Sequence, residues 1–498
     1  MELQLEKQAL PCLRTVLREV QTQEQTQEIR VSDGMPDIGS VVGAWGQVIL
    51  RGKEWDKDSI RVNGGTMVWV QYLSEDGEET ACMESWLPFQ MQWKLPESDR
   101  DGRICCQSFL KNVDARITSA RKMILRTGVS VLMEGVQPCN CDVFVPEKLP
   151  EDVQILHSRY PVQLPVEAGE KAFALDELLT LPSEKPQIGQ ICGYCLQPEI
   201  TEEKLMGDKL VFRGRAWIHL HYSCEDGTQH SWNGEMPFSQ YCELDGEYTP
   251  NDGVRIWPCV TSLEVELQQD QIHVKAGLVC QYRISHHSLV EVVEDAYSNQ
   301  RNVKCVREQL NLPAILESRS RSVTARLNCD ENGIRMADVR FLPQPVEVKN
   351  REDTVDLVLS GQFQPLYYDV EGQLHCGDQQ WTETITVPKA EKAEIDATIW
   401  PVGHAQADMM TGSGQMQVQL ELSMETRNAE GIFMVTGLEL GEVKEPDPSR
   451  PSLILKRSGG QTLWNLAKEN GSTMELIQKA NDLQDEPEEN RMLLIPVV

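Results

Sequence analysis

The sequence predicts a mainly β protein in which tandem antiparallel β-sandwich-like repeats precede a small domain of the order strand, helix, helix, strand. Three observations lead to this prediction. The chain repeats itself at a constant spacing, its apolar residues alternate with a period of two until about residue 450, and the period then becomes helical. At 498 residues the chain is too long for one hydrophobic core, and length alone favours roughly three to four domains.

The repeat is clearest between residues 35–50 and 185–200, which align at a constant offset of 150. Prolines, glycines and tyrosines share that register: Pro36 with Pro186, Ile38 with Ile188, Gly39 with Gly189, Gly43 with Gly193, Gly64 with Gly214, and Tyr72 with Tyr222. A Pro-Phe pair follows in both copies, at 88–89 and 237–238. So many matched turn and core positions indicate a real duplication. A weaker third copy runs through Tyr367–Gly372, but it lacks a clear Pro-x-Ile opening.

Alternation of apolar and polar residues predicts strands with one buried face. Leu263, Val265 and Leu267 alternate with glutamates. Residues 272–276, which follow a polar turn, show the same alternation and are predicted to form the partner strand. Asp-Gly turns and short strands of this kind are typical of antiparallel sandwiches or barrels. Helical spacing before residue 450 is confined to Leu5–Val20 and Ala172–Leu179, where short helices are predicted.

These patterns divide the chain into six parts. Five prolines between 136 and 170 predict a connector, and the three prolines of 441–451 predict a semi-extended linker. The predicted parts are a first β module at 1–137, a proline-rich connector at 138–169, a second module at 170–298, a divergent third module at 299–441, a linker at 442–450 and a terminal domain at 451–498.

The terminal domain carries recognisable helix boundaries. Thr462 is a predicted N-cap, and Gly471 is predicted to close the first helix in the left-handed conformation. Ser472 and Glu475 have the spacing of a capping box that begins a second helix. The apolar run Met492–Ile495 predicts a closing strand.

This domain resembles the LysM family. The matching residues are Gly460, Thr462, Leu463, Trp464, Ala467, Leu476, Asn481, Leu494, Ile495 and Pro496. The resemblance implies a shallow groove for N-acetylglucosamine chains between two loops, formed by Gly460, Gln461, Thr462, Leu463, Asn490, Arg491 and Met492. Gln461 replaces the usual Asp, and Asn490-Arg491 replace the usual Gly-Gln. Without that glycine the backbone approach to a sugar is obstructed, which leaves a protein ligand as the alternative.

The upstream repeats are similar to the SPOCS domain of spore-forming bacteria. The similarity rests on the Pro36-Asp37-Ile38 opening, a glycine before an aromatic strand, and the later Pro-Phe pairs. SPOCS copies followed by LysM imply a sporulation protein and a non-catalytic adaptor in spore coat assembly. Its partner would be the coat morphogenetic ATPase or another coat protein, at the forespore surface in the mother-cell cytoplasm. The alternatives are a peptidoglycan-binding protein of the cortex or cell wall, and a LysM-targeted cell-wall hydrolase.

Composition argues against several classes of function. A net charge of −30 repels phosphate backbones, so nucleic acid is not an expected partner. The first residues lack a secretory pattern, and no apolar run approaches the ~18 residues of a membrane span. Fifteen scattered cysteines favour a reducing compartment over a disulfide framework. No nucleotide-binding, metalloprotease or serine-hydrolase motif is present, so no catalytic residue and no cofactor are predicted.

Three pairs of cysteines or histidines are candidates for redox chemistry or metal binding. Cys192 and Cys195 form a CxxC, but they align with Val42 and Trp45 of the first copy, which favours packed thiols. The pair Cys139-x-Cys141 beside the proline-rich connector has no second ligand pair at zinc-site spacing. The pair His219-x-His221 shares one strand face, and hydrogen-bonded packing is the favoured interpretation.

Overall fold

The structure is a computed structural model that describes residues 2–95, 101–145, 150–329, 335–389, 393–410, 413–428, 431–445 and 449–498. It is mainly β, and all the strand pairs described are antiparallel. The first third of the chain contains β1 (Glu2–Gln4), β2 (Glu6–Arg30), β3 (Ile38–Trp55), β4 (Ser59–Ser74), β5 (Thr80–Lys94), β6 (Arg103–Ser119) and β7 (Lys122–Val145).

The remaining elements complete two more β segments and the terminal module. The second segment contains β8 (Val153–Thr180), β9 (Gln190–Ser223), β10 (Gln229–Tyr248), β11 (Gly253–Gln268) and β12 (Gln271–Ser298). The third contains β13 (Arg301–Leu310), β14 (Ile315–Cys329), β15 (Arg335–Pro343), β16 (Glu347–Asn350), β17 (Thr354–Tyr368), β18 (Leu374–Cys376), β19 (Gln379–Pro388), β20 (Ala393–Met410), β21 (Ser413–Asn428) and β22 (Ile432–Val443). The terminal module contains β23 (Leu453–Arg457), α1 (Leu463–Asn470), α2 (Met474–Asn481) and β24 (Met492–Pro496).

One strand order recurs in all three β segments. The first segment forms the sheets β2–β7–β6 and β3–β4–β5. The third forms the equivalent sheets β14–β21–β20 and β15–β17–β19. In the second, the order β8–β12–β11 recurs, and β8 also pairs with β14, so these strands and β14–β21–β20 form one six-stranded sheet. The other sheet of the second segment is β9–β10, in which β9 spans the positions that β3 and β4 occupy in the first segment. We call these three segments copies one, two and three.

The sequence duplication has direct structural counterparts. The Tyr72 hydroxyl donates to the Pro36 carbonyl at 3.0 Å, and the Tyr222 hydroxyl donates to the Pro186 carbonyl at 3.2 Å. A glycine with left-handed φ closes the same turn in each copy, at Gly77 (74°), Gly227 (81°) and Gly372 (80°). Because only a residue without Cβ adopts this conformation readily, the repeated glycines mark the same hairpin three times.

A second repeated pair explains why glycine and phenylalanine recur together. A Cβ on Gly64 would lie 2.8 Å from the Phe89 ring, and a Cβ on Gly214 would lie 2.4 Å from the Phe238 ring. The strand register places each phenylalanine directly opposite its glycine. The ring therefore covers the bare backbone of the neighbouring strand, and any side chain at the glycine would displace it.

The first and last strands of each copy extend beyond the sheets as two-stranded ribbons. In copy one β2 pairs with β7, and in copy two β8 pairs with β12. In copy three each strand of the ribbon is interrupted, so that β13 pairs with β22 and β14 pairs with β21. Residues 138–169, predicted as a connector, are therefore mostly strand: β7 continues to Val145, and β8 begins at Val153. The predicted linker follows the end of β22 at Val443, and residues 446–448 lie outside the described residues.

Prolines are tolerated in this ribbon because of where they lie. Pro161 and Pro165 are in β8, which pairs with β12 along its length and meets β14 at the single pair Gln163 and Ile315. A proline lacks the N–H needed for a ladder on both sides, but it fits a strand that is paired on one side.

The two predicted helices before residue 450 are wrong. Leu5–Val20 lies almost wholly in β2, and Ala172–Leu179 lies in β8. The strand β2 contacts a different core on each face, so consecutive residues are buried. Cys12 and Leu13 belong to two separate apolar clusters. Burial of both faces removes the period of two and produces a spacing that imitates a helix.

A buried ionic network joins the three copies. Arg283 of copy two lies 3.0 Å from Glu134 of copy one and 2.5 Å from Glu425 of copy three. Arg427 bridges the same two carboxylates at 2.8 and 3.1 Å. Burial alone would raise the pKa of Glu134, but Arg283, Arg427 and the more distant Arg18 outweigh it and lower that pKa to about 2. The network therefore favours one arrangement of the copies over others.

The network predicts acid destabilisation. Because the folded pKa of Glu134 lies below its ordinary value of 4.5, its stabilisation is present above pH 4.5 and is lost as the pH falls towards 2. The free energy of unfolding in urea should fall over this range, and less steeply for Glu134→Gln. Equal slopes for the two proteins would contradict the assignment.

Neither helix in the described part of the chain is long and apolar enough to cross a membrane.

Candidate functional site

The terminal module combines two short helices with a two-stranded sheet. Strands β23 and β24 pair antiparallel, with Leu455 opposite Leu494. Leu466, Ile477 and Ile495 are among the buried residues that form the module's core. This small core packs both helices against one face of the ribbon.

The helix boundaries follow from capping groups. The Thr462 side chain accepts a hydrogen bond from the Asn465 N–H at 3.3 Å, and Gly471 ends α1 with φ of 64°, so both predictions are confirmed. The predicted cap at Ser472 is wrong, because Thr473 caps α2 instead. Ser472 is fully buried and its carbonyl accepts from Tyr297, which places it in the core rather than at the helix start.

The two loops predicted to form a groove lie side by side. The Ser458 N–H donates to the Arg491 carbonyl at 2.9 Å, and the Ser458 hydroxyl donates to the Glu488 carbonyl at 2.8 Å. Gly460 and Asn490 both have left-handed φ, at 75° and 64°. Asparagine is among the side chains best tolerated there, so Asn490 can adopt a conformation that otherwise favours glycine.

The other residues predicted to form the groove differ in solvent exposure. Thr462, Arg491 and Met492 are exposed, and Gln461 is half-buried with its amide donating to Glu469. Leu463 is buried, and only its backbone faces the loops: its N–H donates to the Glu486 carboxylate at 2.7 Å. The structure thus brings all seven predicted residues to one end of the module, with Leu463 contributing backbone alone.

Asn481 connects α2 to the closing strand. Its side-chain oxygen accepts from the Leu494 N–H at 2.7 Å, and its amide donates to the Leu494 and Ile477 carbonyls. We expect Asn481→Ala to destabilise the module by about 1–3 kcal/mol, because Leu494 loses both partners. Hydrogen exchange of the module's backbone amides, followed by mass spectrometry of its peptides, would measure this effect. Asn465→Ala, on the exposed face of α1, is the control, and an equal effect of both variants would argue against this role.

The outer face of the module's sheet is apolar and exposed. Leu453 and Leu455 on β23 lie beside Met492 and Leu494 on β24, with exposed fractions of 53%, 63%, 46% and 39%. We call these four residues the apolar stripe. The exposed residues Arg457 and Arg491 neighbour it in sequence and add positive charge, whereas Lys456 pairs with Glu469 at 3.1 Å. The sequence signals this surface through the uninterrupted apolar run 492–495. A two-stranded sheet buries only one face against the helices, so every second residue of such a run must be exposed.

The opposite side of the module is docked on copy two. The Trp464 indole N–H donates to the Asp295 carboxylate at 2.9 Å, and Lys468 lies 2.6 Å from the same carboxylate. The Trp464 ring packs edge-on to Tyr297 with centroids 4.8 Å apart. Burial would raise the pKa of Asp295, but Lys468 and Trp464 outweigh it and lower that pKa. A charged Asp295 is therefore part of the docked arrangement.

The histidine pair lies at a junction of the copies. His219 contacts Asn233 at 2.6 Å and Asp338 of copy three at 3.1 Å, and His221 contacts Gln229 at 2.8 Å. Burial, with Arg340 nearby, lowers the pKa of His221 to about 3, so the ring is neutral. Both rings serve in hydrogen-bonded packing, as the sequence favours.

The cysteine pairs have different surroundings. Cys192 is buried and Cys195 half-buried within copy two, which agrees with packed thiols. Cys139 and Cys141 lie beside Cys12, which the sequence does not associate with them because it lies 127 and 129 positions earlier in the chain. The pairing of β2 with β7 brings the three together.

Comparison with known proteins identifies one segment. Residues 187–274, which cover β9, β10, β11 and the start of β12, match the family described as "SipL, SPOCS domain". The match supports a SPOCS-domain protein and suggests a role related to sporulation. No curated protein and no solved structure matches the chain.

Proposed function

We propose that this protein is a non-catalytic adaptor of spore coat assembly that resembles SipL. In this proposal its terminal module is of the LysM type and binds a coat morphogenetic protein, such as the coat ATPase, at the forespore surface in the mother cell. The SPOCS match of copy two supports the sporulation role. The apolar stripe is the observation that carries the binding role.

A protein partner suits the stripe better than a sugar does. Four neighbouring apolar side chains offer a desolvation gain to an apolar surface, whereas glycan chains require mainly polar contacts. The positive residues beside the stripe would favour an acidic rim on the partner. The loops at Gly460 and Asn490 lie next to Met492, so they would frame one edge of the interface.

The test is a pull-down from sporulating cells with the full chain and with Leu455→Glu/Leu494→Glu. The variant should lose the coat protein, because each glutamate would bury a charge in the interface. Val370→Glu is the matched control, since Val370 is an exposed apolar residue (77%) of copy three, remote in sequence from the module. Equal recovery of the coat protein by all three proteins would refute the stripe as the docking surface.

Peptidoglycan binding is the second candidate, favoured by the exposed backbone of the two loops. Sedimentation with insoluble peptidoglycan tests it: retention of the chain, abolished by Gly460→Val but unaffected in the double glutamate variant, would replace the protein-docking proposal. Release of muropeptides from purified cell wall would instead favour the hydrolase alternative.

A further inference from the structure

Three thiols converge where the first and last strands of copy one pair. Cys12 on β2 is the register partner of Cys139 on β7, and Cys141 lies two residues further along the same face of β7. The Cys12 Sγ atom is 3.2 Å from the Sγ atoms of both Cys139 and Cys141. All three sulfurs lie within 4.8 Å of one another.

The sulfurs lie somewhat closer together than the thiolates of one metal ion do, with the Cys12 Sγ atom 3.2 Å from each of the other two. A Zn–S bond of about 2.3 Å places two thiolates of one ion roughly 3.8–4.0 Å apart. The three sulfurs need only small side-chain rotations to reach that spacing. Because paired strands hold their Cα atoms, the ligands are arranged before any ion binds, which lowers the ordering cost of binding.

The surroundings select the kind of ion. Cys12 is 3% exposed and Cys141 9%, and both belong to an apolar cluster that includes Leu312 and Ala314. Among the described residues, the ligand group consists of the three cysteines alone. An all-sulfur donor set favours thiophilic ions over Mg²⁺ or Ca²⁺. The Asn311 carbonyl oxygen, 3.9 Å from Cys141 Sγ, brings an oxygen donor close for a fourth position.

We infer that Cys12, Cys139 and Cys141 bind a Zn²⁺ ion as a three-thiolate site. Binding forms three zinc–sulfur bonds and releases three thiol protons to solvent, and no electron is transferred. The site then carries one net negative charge, whereas Cu⁺ would leave two, and the smaller buried charge favours zinc. Because binding displaces three thiol protons, zinc affinity should rise with pH.

The ion would connect two copies. Its ligands belong to the ribbon of copy one, and the cluster around it contains Leu312 and Ala314 from the segment that joins β13 to β14. Zinc would therefore fix the β2–β7 ribbon against the broken ribbon of copy three. This role is structural and independent of the terminal module.

The test uses the full chain, purified under reducing, metal-free conditions, with zinc affinity measured by competition against a chromophoric chelator. We expect one zinc per chain. Cys12→Ser should weaken binding by more than the roughly 10- to 100-fold that loss of a supporting group costs. Cys242→Ser, which removes a buried thiol of copy two outside the cluster, should bind as the unaltered chain does.

A second readout counts the ligands. Cadmium bound in place of zinc gives a sulfur charge-transfer absorption, which should fall by about one third in Cys141→Ser because two of three thiolates remain. Circular dichroism checks that each variant is folded, and Cys141→Ser replaces Cys12→Ser if the latter does not fold. Unchanged zinc affinity in the cysteine variants, binding of Cu⁺ without zinc, or a Cys12–Cys139 disulfide in protein isolated from cells would overturn the assignment.

Discussion

Glu134→Ala is expected to lower the free energy of unfolding by about 3–5 kcal/mol, because it leaves the buried guanidinium of Arg283 and the half-buried guanidinium of Arg427 without one of their carboxylates. Arg283 and Arg427 both contact Glu134, at 3.0 and 2.8 Å, and Arg283 is 2% exposed. Desolvated cations of this kind cannot recover their hydration without disturbing the packing between copies. The loss should therefore exceed what one hydrogen bond contributes.

The shift of the urea midpoint measures this loss. Glu24→Ala is the matched control, since Glu24 pairs with Arg126 at 3.0 Å on the same β2–β7 ribbon but with both side chains about half exposed. An exposed pair contributes about 0–1 kcal/mol. Equal destabilisation by the two substitutions would show that the buried network does not hold the copies together.

The second large effect is expected at the docked terminal module. Tyr297→Ala removes the ring that packs against Trp464 and the hydroxyl that donates to Ser472 at 2.9 Å. Truncating a buried aromatic residue costs about 3–5 kcal/mol, and here the cost falls on the contact between module and copy two. The module should therefore undock.

Limited proteolysis reports the undocking. The Lys444 N–H donates to the Gln300 carbonyl at 2.7 Å, close to the docking residues, so trypsin should cleave after Lys444 faster once the module is released. Tyr297→Phe keeps the ring and loses only the hydroxyl, with an expected cost of about 1 kcal/mol. If Tyr297→Ala and the unaltered chain are cleaved at the same rate, the docking contact is not what restrains this segment.

The sequence predicts what neighbouring residues determine. The hairpin that pairs Leu263 with Ala276, the repeated turn glycines and the cap at Thr462 all depend on short-range patterns, and the structure has each of them. The loops at Gly460 and Asn490, in contrast, were predicted from the resemblance to the LysM family and not from these local patterns. Local chemistry and period suffice wherever an element is defined by contacts within a few residues.

Contacts between distant segments could not be predicted in this way. The convergence of Cys12 with Cys139, the ionic network around Arg283 and the docking of Trp464 on Asp295 depend on how ribbons and copies pack. Sequence spacing carries no information about such packing. The strand β2 was also missed, because burial of the adjacent residues Cys12 and Leu13 on its two faces interrupts the alternation by which a strand is recognised.

The pairing of β1 has a consequence for synthesis on the ribosome. Glu2, Leu3 and Gln4 pair with Glu439, Leu438 and Gly437 of β22. At roughly 5–20 residues per second, the first of these residues waits on the order of a minute before its partner strand emerges. Copies one and two can acquire their sheets during that interval, whereas this small outer sheet closes only after β22 has emerged. The nascent chain therefore carries an unpaired β1 until β22 has been made, and a chaperone or early partner that covers it would protect the chain from aggregation.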